Sequence, residues 1–559
     1  MPLAEELKRI VRGEVIDTPD MRKQYARDAS IFTITPEVVI FPKDAQDVSA
    51  LVEYVAQQKK DPRRAHISIT ARGAGTDMSG GPLTDSIVLD MTKHCNRFLG
   101  LSHDIASVEP GMFFRDFDNR TKRDDLELPS YTASRELNTV GGMVANNSGG
   151  EKNLKYGKTA RYVEALDVVL SDGKLHTLRL LQGEALQQKL AEQSFEGEIH
   201  RRVAALLTTH QKVIEMHKPQ VEKNSSGYAL WDMGDGVHSL NLARLMVGAQ
   251  GTLGIITKAD IRLVHPKPYA SMVVIFLKHL SELGAVVPQV LAHQPDSFES
   301  YDDHTFALGV KYFPEFTRSM KTNIFSLLIS FLPEFWMLLT GGIPKLVLLV
   351  EFRAATQEEA EHRAEQLAVE LKETKDISVR IAPSERQARK YWAIRRESFN
   401  LLRKKVHGMR TVPFIDDFVV PPDRLAEFLP KLEAILSHYH LTYTVAGHVG
   451  DGNFHIIPLA KPSEPGLPRI IDELSHQVYN LVLSYHGSIT GEHNDGLVRT
   501  PYVEKMFGQE MYALFYEIKK IFDPLNIFNP GKKVGLTYSD AFAHLDLPKS
   551  SYTPTPEAP

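Results

Sequence analysis

The segment at residues 139–157, TVGGMVANNSGGEKNLKYG, constrains the fold of this chain more than any other feature. Two glycine pairs and two adjacent asparagines surround its short apolar centre. Glycine adopts unusual backbone conformations without steric cost and allows a ligand to approach the main chain closely. A loop that only connects two elements rarely needs so many unrestricted positions beside amide side chains. The segment therefore predicts a ligand-binding turn.

A second glycine-rich segment, ARGAGTDMSGG at residues 71–81, follows a predicted strand at residues 66–70. Consecutive small residues can turn several backbone N–H groups toward one anion, which suits a pyrophosphate. The dinucleotide fingerprint G-x-G-x-x-G is not met, because Met78 holds the third glycine position and no apolar helix follows. A Rossmann fold is therefore not predicted. Taken alone, the segment fits a flexible surface loop equally well.

Hydrophobic patterning predicts strands and helices mixed along the chain, with α+β or α/β patterning beyond about residue 268. The predicted elements are a helix at 44–60, strands at 66–70 and 86–91, a hairpin at 162–181 with its turn at Asp172 and Gly173, helices through 183–217, a glycine turn leading into a strand at 248–257, a strand at 345–352, a helix at 357–373 and a strand near 376–381. The change of pattern near residue 268 indicates a second domain.

Length and composition exclude several classes of protein. A chain of 559 residues is too long for one core, so two or more domains are expected. The net charge of -5 gives no basic footprint for nucleic acid. Cys95 is the only cysteine, which excludes internal disulfides and a cysteine-ligated iron–sulfur cluster and favours a reducing compartment. The first 13 residues lack the apolar region of a signal peptide, so a cytoplasmic location is expected.

One apolar segment complicates that location. Residues 324–339, IFSLLISFLPEFWMLL, are shorter than the ~20 residues of a membrane-spanning helix, and Pro333 and Glu334 interrupt them. The segment fits a buried part of the second domain, or a peripheral contact with the inner face of the membrane.

A histidine–carboxylate cluster is the main chemical signal in the last third of the chain. GHVGDGNFH places His448 and His455 on either side of a strong turn sequence, and GSITGEHNDG supplies Glu492 and His493. Two imidazoles and one carboxylate with an open fourth position are typical of a catalytic divalent metal site. Single histidines are more often structural, and this chain has 22 of them. Both interpretations stay open on the residues alone.

Five separated motifs, the three glycine-rich segments and the two histidine motifs, resemble in order and spacing those of the vanillyl-alcohol oxidase-type flavoproteins with a PCMH-type FAD-binding domain. The most similar branch contains D-lactate dehydrogenase, the glycolate oxidase flavin subunit and D-2-hydroxyglutarate dehydrogenase. The resemblance implies an N-terminal helical segment at 1–35, a two-subdomain FAD-binding domain at 36–267, an α+β cap domain with an antiparallel sheet at 268–505, and a helical segment at 506–540 returning to the FAD domain. Residues 541–559 end in a Pro-rich stretch and are expected to be disordered.

The resemblance also implies non-covalent FAD and assigns its contacts. The pyrophosphate would bind the backbone N–H groups of Arg72, Gly73, Ala74, Gly75, Thr76, Asp77 and Ser79. The flavin would lie among Pro129, Ser130, Thr132, Ser134, Gly141, Gly142, Asn146, Ser148, Gly149, Tyr156, Gly157, Gln250, Ile255 and Asn529. Gln250 stands where the group usually has glutamate. Asn529 fits a turn after a helix equally well.

In the metal-dependent members of this group, residues matching His448, His455 and Glu492 bind zinc or manganese, and the residue matching His493 is the catalytic base. The resemblance therefore implies oxidation of a small D-2-hydroxy acid, with a His493 that is neutral near pH 7 and takes the hydroxyl proton. Arg395 matches the arginine that binds the substrate carboxylate, with Arg396 as the competing candidate.

Several departures and alternatives remain. Asn494 and Asp495 follow His493 where relatives have Gly-Ile, which places a polar pair near the base, and Phe399 and Ile415 replace polar side chains that bind a second carboxylate in the hydroxyglutarate enzymes. Electrons would pass to a separate iron–sulfur subunit, a quinone, an electron-transfer flavoprotein or oxygen. The alternatives are a flavin oxidase or transferase, such as an alkyl-glycerone phosphate synthase relative, and a non-catalytic flavin-carrying subunit.

Overall fold

The computed structural model describes residues 1–305, 342–405, 408–548 and 552–554, with the side chains of 397–405 excepted. The apolar segment 324–339 and the side chain of Phe399 lie outside the described residues. Helices and antiparallel strands are mixed along the chain, which confirms the α+β prediction. No helix within the described ranges combines the length and the apolar character that crossing a membrane requires.

The first sheet has four strands and carries the first glycine-rich segment at one end. Its order is β1-β2-β4-β3, with β1 (Glu14–Ile16), β2 (Val38–Phe41), β3 (Ile69–Arg72) and β4 (Ile87–Asp90). Strands β2, β4 and β3 run parallel, which requires a crossover connection. The helix Ala45–Gln58 supplies it and buries Val48, Leu51, Val52 and Val55 against the sheet. The chain leaves β3 directly into residues 73–81, so the sheet fixes where this segment begins.

The second sheet has six antiparallel strands in the order β5-β6-β10-β7-β8-β9. They are β5 (Phe98–Ser102), β6 (Ile105–Val108), β7 (Val163–Val169), β8 (Leu175–Gln182), β9 (Ser239–Asn241) and β10 (Ile255–Arg262). The predicted hairpin is confirmed by β7 and β8, which pair from Val169 and Leu175 outward around the turn at Asp172. Gly173 has a φ of 75°, which explains glycine at that turn.

The third sheet belongs to the second half of the chain and has eight antiparallel strands. The path is β14-β11-β13-β12-β17-β18-β15, and β16 also pairs with β18. They are β11 (Tyr269–Leu277), β12 (Ser297–Asp302), β13 (Leu346–Ala354), β14 (Ile377–Ala382), β15 (Arg410–Thr411), β16 (Phe418–Val419), β17 (Thr442–His448) and β18 (Asn453–Ala460).

Both faces of the third sheet are covered, and β11 shows why its sequence is almost continuously apolar. Val273 and Ile275 point to one core, and Met272 and Val274 point to another. Because side chains alternate along a strand, a strand buried on both faces needs apolar residues throughout. This sheet holds the two predicted metal-binding histidines on the neighbouring strands β17 and β18.

The α-helices complete the layers around the three sheets. Their bounds are Leu3–Leu7, Pro19–Tyr25, Ala45–Gln58, Phe114–Thr121, Val140–Asn146, Asn153–Tyr156, Gly183–Ala191, Phe195–Thr209, Gln211–His217, Leu242–Met246, Leu283–Ala292, Gln357–Glu370, Glu385–Lys405, Leu425–Ser437, Leu467–Ser484, Gly496–Arg499, Val503–Phe522 and Tyr538–Phe542. The predicted helices at 44–60, through 183–217 and at 357–373 agree with these bounds.

The C-terminal segment returns to the first sheet. The N–H of Ile69 donates to Ile527 O at 2.8 Å, and the N–H of Asn529 donates to Ile69 O at 2.9 Å. The Asn529 amide donates to Gly81 O and to Gln250 O, at 3.0 and 2.7 Å. Asn529 therefore joins two of the glycine-rich segments.

Residues 541–548, the first part of the tail expected to be disordered, make specific contacts in the structure. Leu545 bridges to Phe32, and the Asp546 carboxylate pairs with Arg410 at 2.5 Å and with Arg27 at 2.9 Å. These contacts fasten residues 541–548 to both the N-terminal segment and β15. A Pro-rich end indicated disorder by composition, but it carried no information about partners more than 100 residues away.

Candidate functional site

A single cavity of about 690 Å³ joins the glycine-rich segments to the histidine–carboxylate cluster. This volume lies within the range of small-molecule and cofactor sites. Of the residues predicted to bind ligands, the cavity is lined by Arg72, Gly73, Ala74, Gly75, Thr76, Asp77, Thr132, Ser134, Gly141, Gly142, Asn146, Ser148, Gln250, Arg395, His448, His455, Glu492 and His493. The structure therefore brings together residues that are more than 400 positions apart.

The wall at the glycine-rich end is built by close approach of backbone segments. A Cβ atom on Gly73 would lie 2.3 Å from Thr139 Oγ1, and one on Gly141 would lie 2.7 Å from Pro110 O. Thr139 caps the helix Val140–Asn146, since its hydroxyl accepts from Gly142 N at 3.2 Å. The two glycines therefore allow Thr139 and Pro110 to pack directly against the segments that line the cavity.

Polar contacts hold the glycine-rich segments against one another. Asn146 Nδ2 donates to Asp77 Oδ1 at 3.2 Å, and the Gln250 amide nitrogen donates to Ser79 Oγ at 3.3 Å. Gln250 also accepts from Gly496 N at 2.9 Å, so it links the wall to the segment that follows His493. The departure from glutamate at Gln250 places a neutral amide in this network.

Eight predicted flavin residues do not line the cavity: Ser79, Pro129, Ser130, Gly149, Tyr156, Gly157, Ile255 and Asn529. Ser79, Ser130 and Asn529 are buried in the wall behind it. Ile255 points into the core of the first sheet, while its neighbour Ile256 lines the cavity. Since side chains alternate along β10, these two neighbours face opposite sides of the strand.

His448 and His455 face each other across the hairpin formed by β17 and β18. Gly452, with a φ of 67°, makes the turn, and Ala446 pairs with His455. The two imidazole centroids are 5.3 Å apart. His448 Nδ1 lies 2.7 Å from Glu299 Oε1 and His455 Nδ1 lies 3.1 Å from Asp416 O, so in the neutral imidazoles that donate these bonds both Nε2 atoms carry a free lone pair.

Glu492 completes the cluster. Its Oε1 lies 3.3 Å from His448 Nε2, and its Oε2 lies 3.7 Å from His455 Nε2. The ligand atoms of these three residues all lie within 4.8 Å of one another. Burial and the positive charge of His493 lower the pKa of His455 to about 3, so this imidazole is neutral at pH 7.

The turn that carries Glu492 is held by a buried carboxylate. Asp417 Oδ2 accepts from the backbone N–H groups of Gly491, Glu492 and His493 at 2.8, 2.9 and 2.9 Å, and from Thr490 Oγ1 at 2.6 Å. Although burial opposes it, the positive charges of His493 and Arg499 keep the pKa of Asp417 well below its usual range. The ligand loop, residues 490–493, is therefore held in place by hydrogen bonds to Asp417.

His493 is oriented by the neighbouring aspartate. Its Nδ1 donates to Asp416 Oδ2 at 2.5 Å, and the other carboxylate oxygen of Asp416 pairs with the buried guanidinium of Arg499. Burial lowers the pKa of His493, but the charges of Asp416 and Asp417 outweigh it and raise that pKa to about 9. The protein's own charges thus favour the imidazolium at pH 7, contrary to the neutral side chain expected from the sequence. A nearby divalent cation would favour the neutral form.

Two adjacent arginines line the cavity with different partners. Arg395 forms an ion pair with Glu299, and its Nε has no hydrogen-bond acceptor among the described residues. Arg396 is committed to Glu151, with Nε 3.1 Å from Oε2. Arg395 therefore lines the cavity with one buried N–H that no described residue satisfies, while the donors of Arg396 face an internal partner.

Asn494 and Asp495 do not surround the base as the sequence suggested. The Asn494 amide donates to Gly248 O at 2.9 Å, and Asp495 pairs with Lys533 at 3.0 Å. Both residues are fully buried and fasten the ligand loop to the glycine-rich half of the protein.

Four charged residues that contact the cluster were not predicted from the sequence: Lys223, Glu299, Asp416 and Asp417. The adjacent aspartates in FIDDFVV could have been recognised, because they lie within an apolar segment and buried acids usually have partners. Lys223 and Glu299 stand in stretches without any motif. Only the fold places them beside Glu492 and His448.

Comparison with known proteins identifies the family. Residues 36–179 match the model of an FAD binding domain, and residues 267–533 match the C-terminal domain of FAD linked oxidases. The chain belongs to the FAD-linked oxidase family. The solved structures with this fold include a 4-ethylphenol oxidase from Gulosibacter chungangensis, with 15% identity, a TM-score of 0.68 and coverage of 95% of this chain and 96% of that one. p-Cresol methylhydroxylase is similar at 14% identity and a TM-score of 0.67, with the same coverage.

Relatives in sequence are named for 2-hydroxy acid chemistry. D-2-hydroxyglutarate dehydrogenase from Pseudomonas putida is 30% identical over 93% of this chain and 50% of its own length. D-lactate dehydrogenase from Archaeoglobus fulgidus is 28% identical over 89% of this chain and 91% of its own length. The chain spans about half the length of the D-2-hydroxyglutarate dehydrogenases from Pseudomonas putida and Escherichia coli: the matched regions are 50% and 49% of those proteins.

Proposed function

We propose that this protein is an FAD-dependent dehydrogenase that oxidises a small D-2-hydroxy acid to the corresponding 2-oxo acid. The observation that carries the proposal is the shared cavity: one wall is the glycine-rich surface of an FAD-binding domain, and the opposite wall presents His448, His455, Glu492, His493 and Arg395. The names of the relatives support the same class of substrate.

The residues present fit both non-protein groups. Residues 72–77 with Gly141 and Gly142 form a glycine-rich cradle in the cavity wall, where the main chain can approach a dinucleotide closely. Two imidazole Nε2 atoms and a carboxylate converge within 4.8 Å, and N and O donors of this kind suit zinc or manganese. His448, His455 and Glu492 would hold the cation, and residues 72–79 together with 132–148 would hold the FAD.

When bound, FAD supplies a two-electron acceptor, and a divalent cation lowers the pKa of a hydroxyl that contacts it. The protein's own part is to bind, orient and deprotonate the substrate. The guanidinium of Arg395, which lines the cavity, binds the substrate carboxylate, and its planar geometry is suited to that contact. His493 Nε2 accepts the hydroxyl proton, and the Asp416 carboxylate stabilises the imidazolium that forms.

The acceptor and the location belong to the proposal as well. With Cys95 as the one cysteine of this sequence, a cysteine-ligated iron–sulfur relay within it is excluded, so electrons would leave to a separate iron–sulfur subunit, a quinone or an electron-transfer flavoprotein. We place the protein in the cytoplasm, with segment 324–339 as a candidate for peripheral membrane contact.

The test is anaerobic reduction of the bound flavin. The purified protein is analysed for flavin and divalent metal and then mixed with glycolate, D-lactate, D-malate or D-2-hydroxyglutarate while the flavin absorbance is followed. Bleaching by one of these acids that depends on the metal supports the proposal. A flavin-loaded, metal-loaded protein that none of them reduces would overturn the substrate class. A protein that binds flavin and no metal would favour an oxidase or transferase without a metal site.

A further inference from the structure

Glu299 contacts both halves of the catalytic wall. One carboxylate oxygen accepts from His448 Nδ1 at 2.7 Å, and the other pairs with the guanidinium of Arg395. The residue is 1% exposed and lies at the centre of β12. The pairing of β12 with β17, Ser300 with Gly447 and Tyr301 with Ala446, brings Glu299 beside His448 at the end of its strand.

We propose that Glu299 is a positioning residue that fixes the metal-binding histidine and the substrate-binding arginine relative to each other. This inference rests on the proposed function. Its subject is a residue that contacts neither the cation nor the reacting atoms. Glu299 acts through His448 on one side and through Arg395 on the other.

His448 is the metal-binding residue that Glu299 orients. An imidazole that donates one N–H to a carboxylate has the other nitrogen fixed as a lone-pair donor, and its ring orientation is set by that bond. His455 is held by a backbone carbonyl, the O atom of Asp416, whereas His448 is held by a full negative charge. The two ligands are therefore not equivalent, and His448 is the one whose basicity a charged partner increases.

Arg395 is the substrate-binding residue that Glu299 orients. In a 2-hydroxy acid the hydroxyl and the carboxylate are on adjacent carbon atoms, so the groups that bind them must keep a constant separation. Glu299 contacts Arg395, which binds the carboxylate, and His448, which holds the cation beside the hydroxyl. The ion pair with Glu299 fixes one end of the Arg395 guanidinium, and so sets how the arginine is presented to the cavity. A side chain that fixes both partners at once reduces the freedom that substrate binding would otherwise have to restrict.

A neighbouring residue provides a matched control. Glu351 lies on β13, the strand that pairs with β12, and is also buried. Its carboxylate accepts from Arg353 Nε at 2.8 Å and from Trp392 Nε1 at 3.1 Å, but it does not contact the histidine cluster. Glu351→Gln therefore removes a buried glutamate charge paired with an arginine from the same sheet without touching the metal ligands.

The experiment titrates zinc and manganese separately into the FAD-loaded protein against a chelator of known affinity, for the wild type, Glu299→Gln, Glu299→Asp and Glu351→Gln. Glu299→Gln should bind metal about 10–100-fold more weakly than the wild type. Glu299→Asp keeps the charge at a greater distance and should lie between them. Glu351→Gln should stay within about twofold of the wild type, and all variants should retain FAD.

The outcomes separate the two proposals. If the wild type binds neither ion, the metal site of the proposed function fails. If the wild type binds and Glu299→Gln binds equally tightly, the role of Glu299 is wrong. Should Glu299→Gln not fold, Glu299→Asp decides, because it retains the buried negative charge: an affinity equal to that of Glu351→Gln would overturn the inference. A second readout is the KM for the reducing acid in metal-saturated enzyme, which should rise in Glu299→Gln and not in Glu351→Gln.

Discussion

The Nζ atom of Lys223 lies 2.5 Å from Oε1 of Glu492, and the lysine is fully buried. Asp451 is the next carboxylate, at 3.8 Å. Burial opposes ionisation of Glu492, but the charge of Lys223 outweighs it and holds the pKa of that carboxyl well below its usual range. The lysine belongs to residues 180–266, which neither family match covers, and yet it contacts a predicted metal ligand.

This ion pair predicts the behaviour of Lys223→Met. Removal of one partner leaves a buried carboxylate without compensation, which costs about 3–5 kcal/mol of unfolding free energy. Zinc or manganese should restore part of the loss, because a cation at His448, His455 and Glu492 supplies the missing positive charge. Thermal unfolding with and without metal measures both effects.

The control for that experiment is Lys152→Met. Lys152 pairs with Glu127 at 2.7 Å, and both side chains are buried away from the histidines. This variant should lose stability, and added metal should not restore it beyond the rise seen in the wild type. Equal metal responses in the two variants would contradict the role given to Lys223.

The catalytic assignment predicts a separation of activity from cofactor binding in His493→Ala. The variant should lose turnover by at least about 10²-fold, because general-base catalysis contributes ~10²–10⁴-fold. Its FAD content should not change, since the glycine-rich wall is untouched. His265→Ala removes an exposed histidine outside the cavity and should behave as the wild type. Steady-state rates together with the flavin absorbance decide, and full activity in His493→Ala would refute the assignment.

The sequence predicted the parts of this site that are local. GHVGDGNFH shows a turn with one histidine on each side, and the hairpin of β17 and β18 brings His448 and His455 together as expected. Glycine-rich segments indicate main chain that lies close to a ligand or to another segment of the protein. The contacts of Lys223 and Glu299 could not be predicted, because each depends on a partner more than 140 residues away. Which of Ile255 and Ile256 faces the cavity could not be predicted either, because it depends on which face of β10 the fold buries.

The glycine-rich wall predicts that Gly141→Ala weakens FAD binding. A Cβ atom there would lie 2.4 Å from Pro110 Cβ and 2.7 Å from Pro110 O, which are parts of the neighbouring main chain and its rigid ring. Overpacking of this kind costs ~1–3 kcal/mol, or about 10–100-fold in affinity if the cradle carries the strain. Gly100→Ala is the matched control, since nothing lies within 4 Å of its added Cβ. Flavin fluorescence on reconstitution measures both, and equal affinities would show that the cradle is not the flavin site.

The hairpin of the second sheet predicts a pH-dependent contribution to stability. His176 Nε2 lies 3.1 Å from the Asp172 carboxylate and Nδ1 lies 3.3 Å from Glu196. Burial opposes protonation, but the two carboxylates raise the pKa of His176 to about 9. A group whose pKa is raised on folding stabilises fully below its unfolded value of ~6.5, and this stabilisation is lost as the pH rises to the folded value.

His176→Asn should therefore lower the melting temperature relative to the wild type at pH 6, by about 2–4 °C for each kcal/mol lost. The difference should shrink between pH 6.5 and 9 as the wild-type imidazole loses its proton. His238→Asn serves as the control, because His238 also pairs with an aspartate but its side chain is 85% exposed. Exposed pairs contribute little, so that variant should melt like the wild type throughout. A melting difference for His176→Asn that stays constant from pH 6 to pH 10 would mean that packing, and not the charge on the imidazole, stabilises the hairpin.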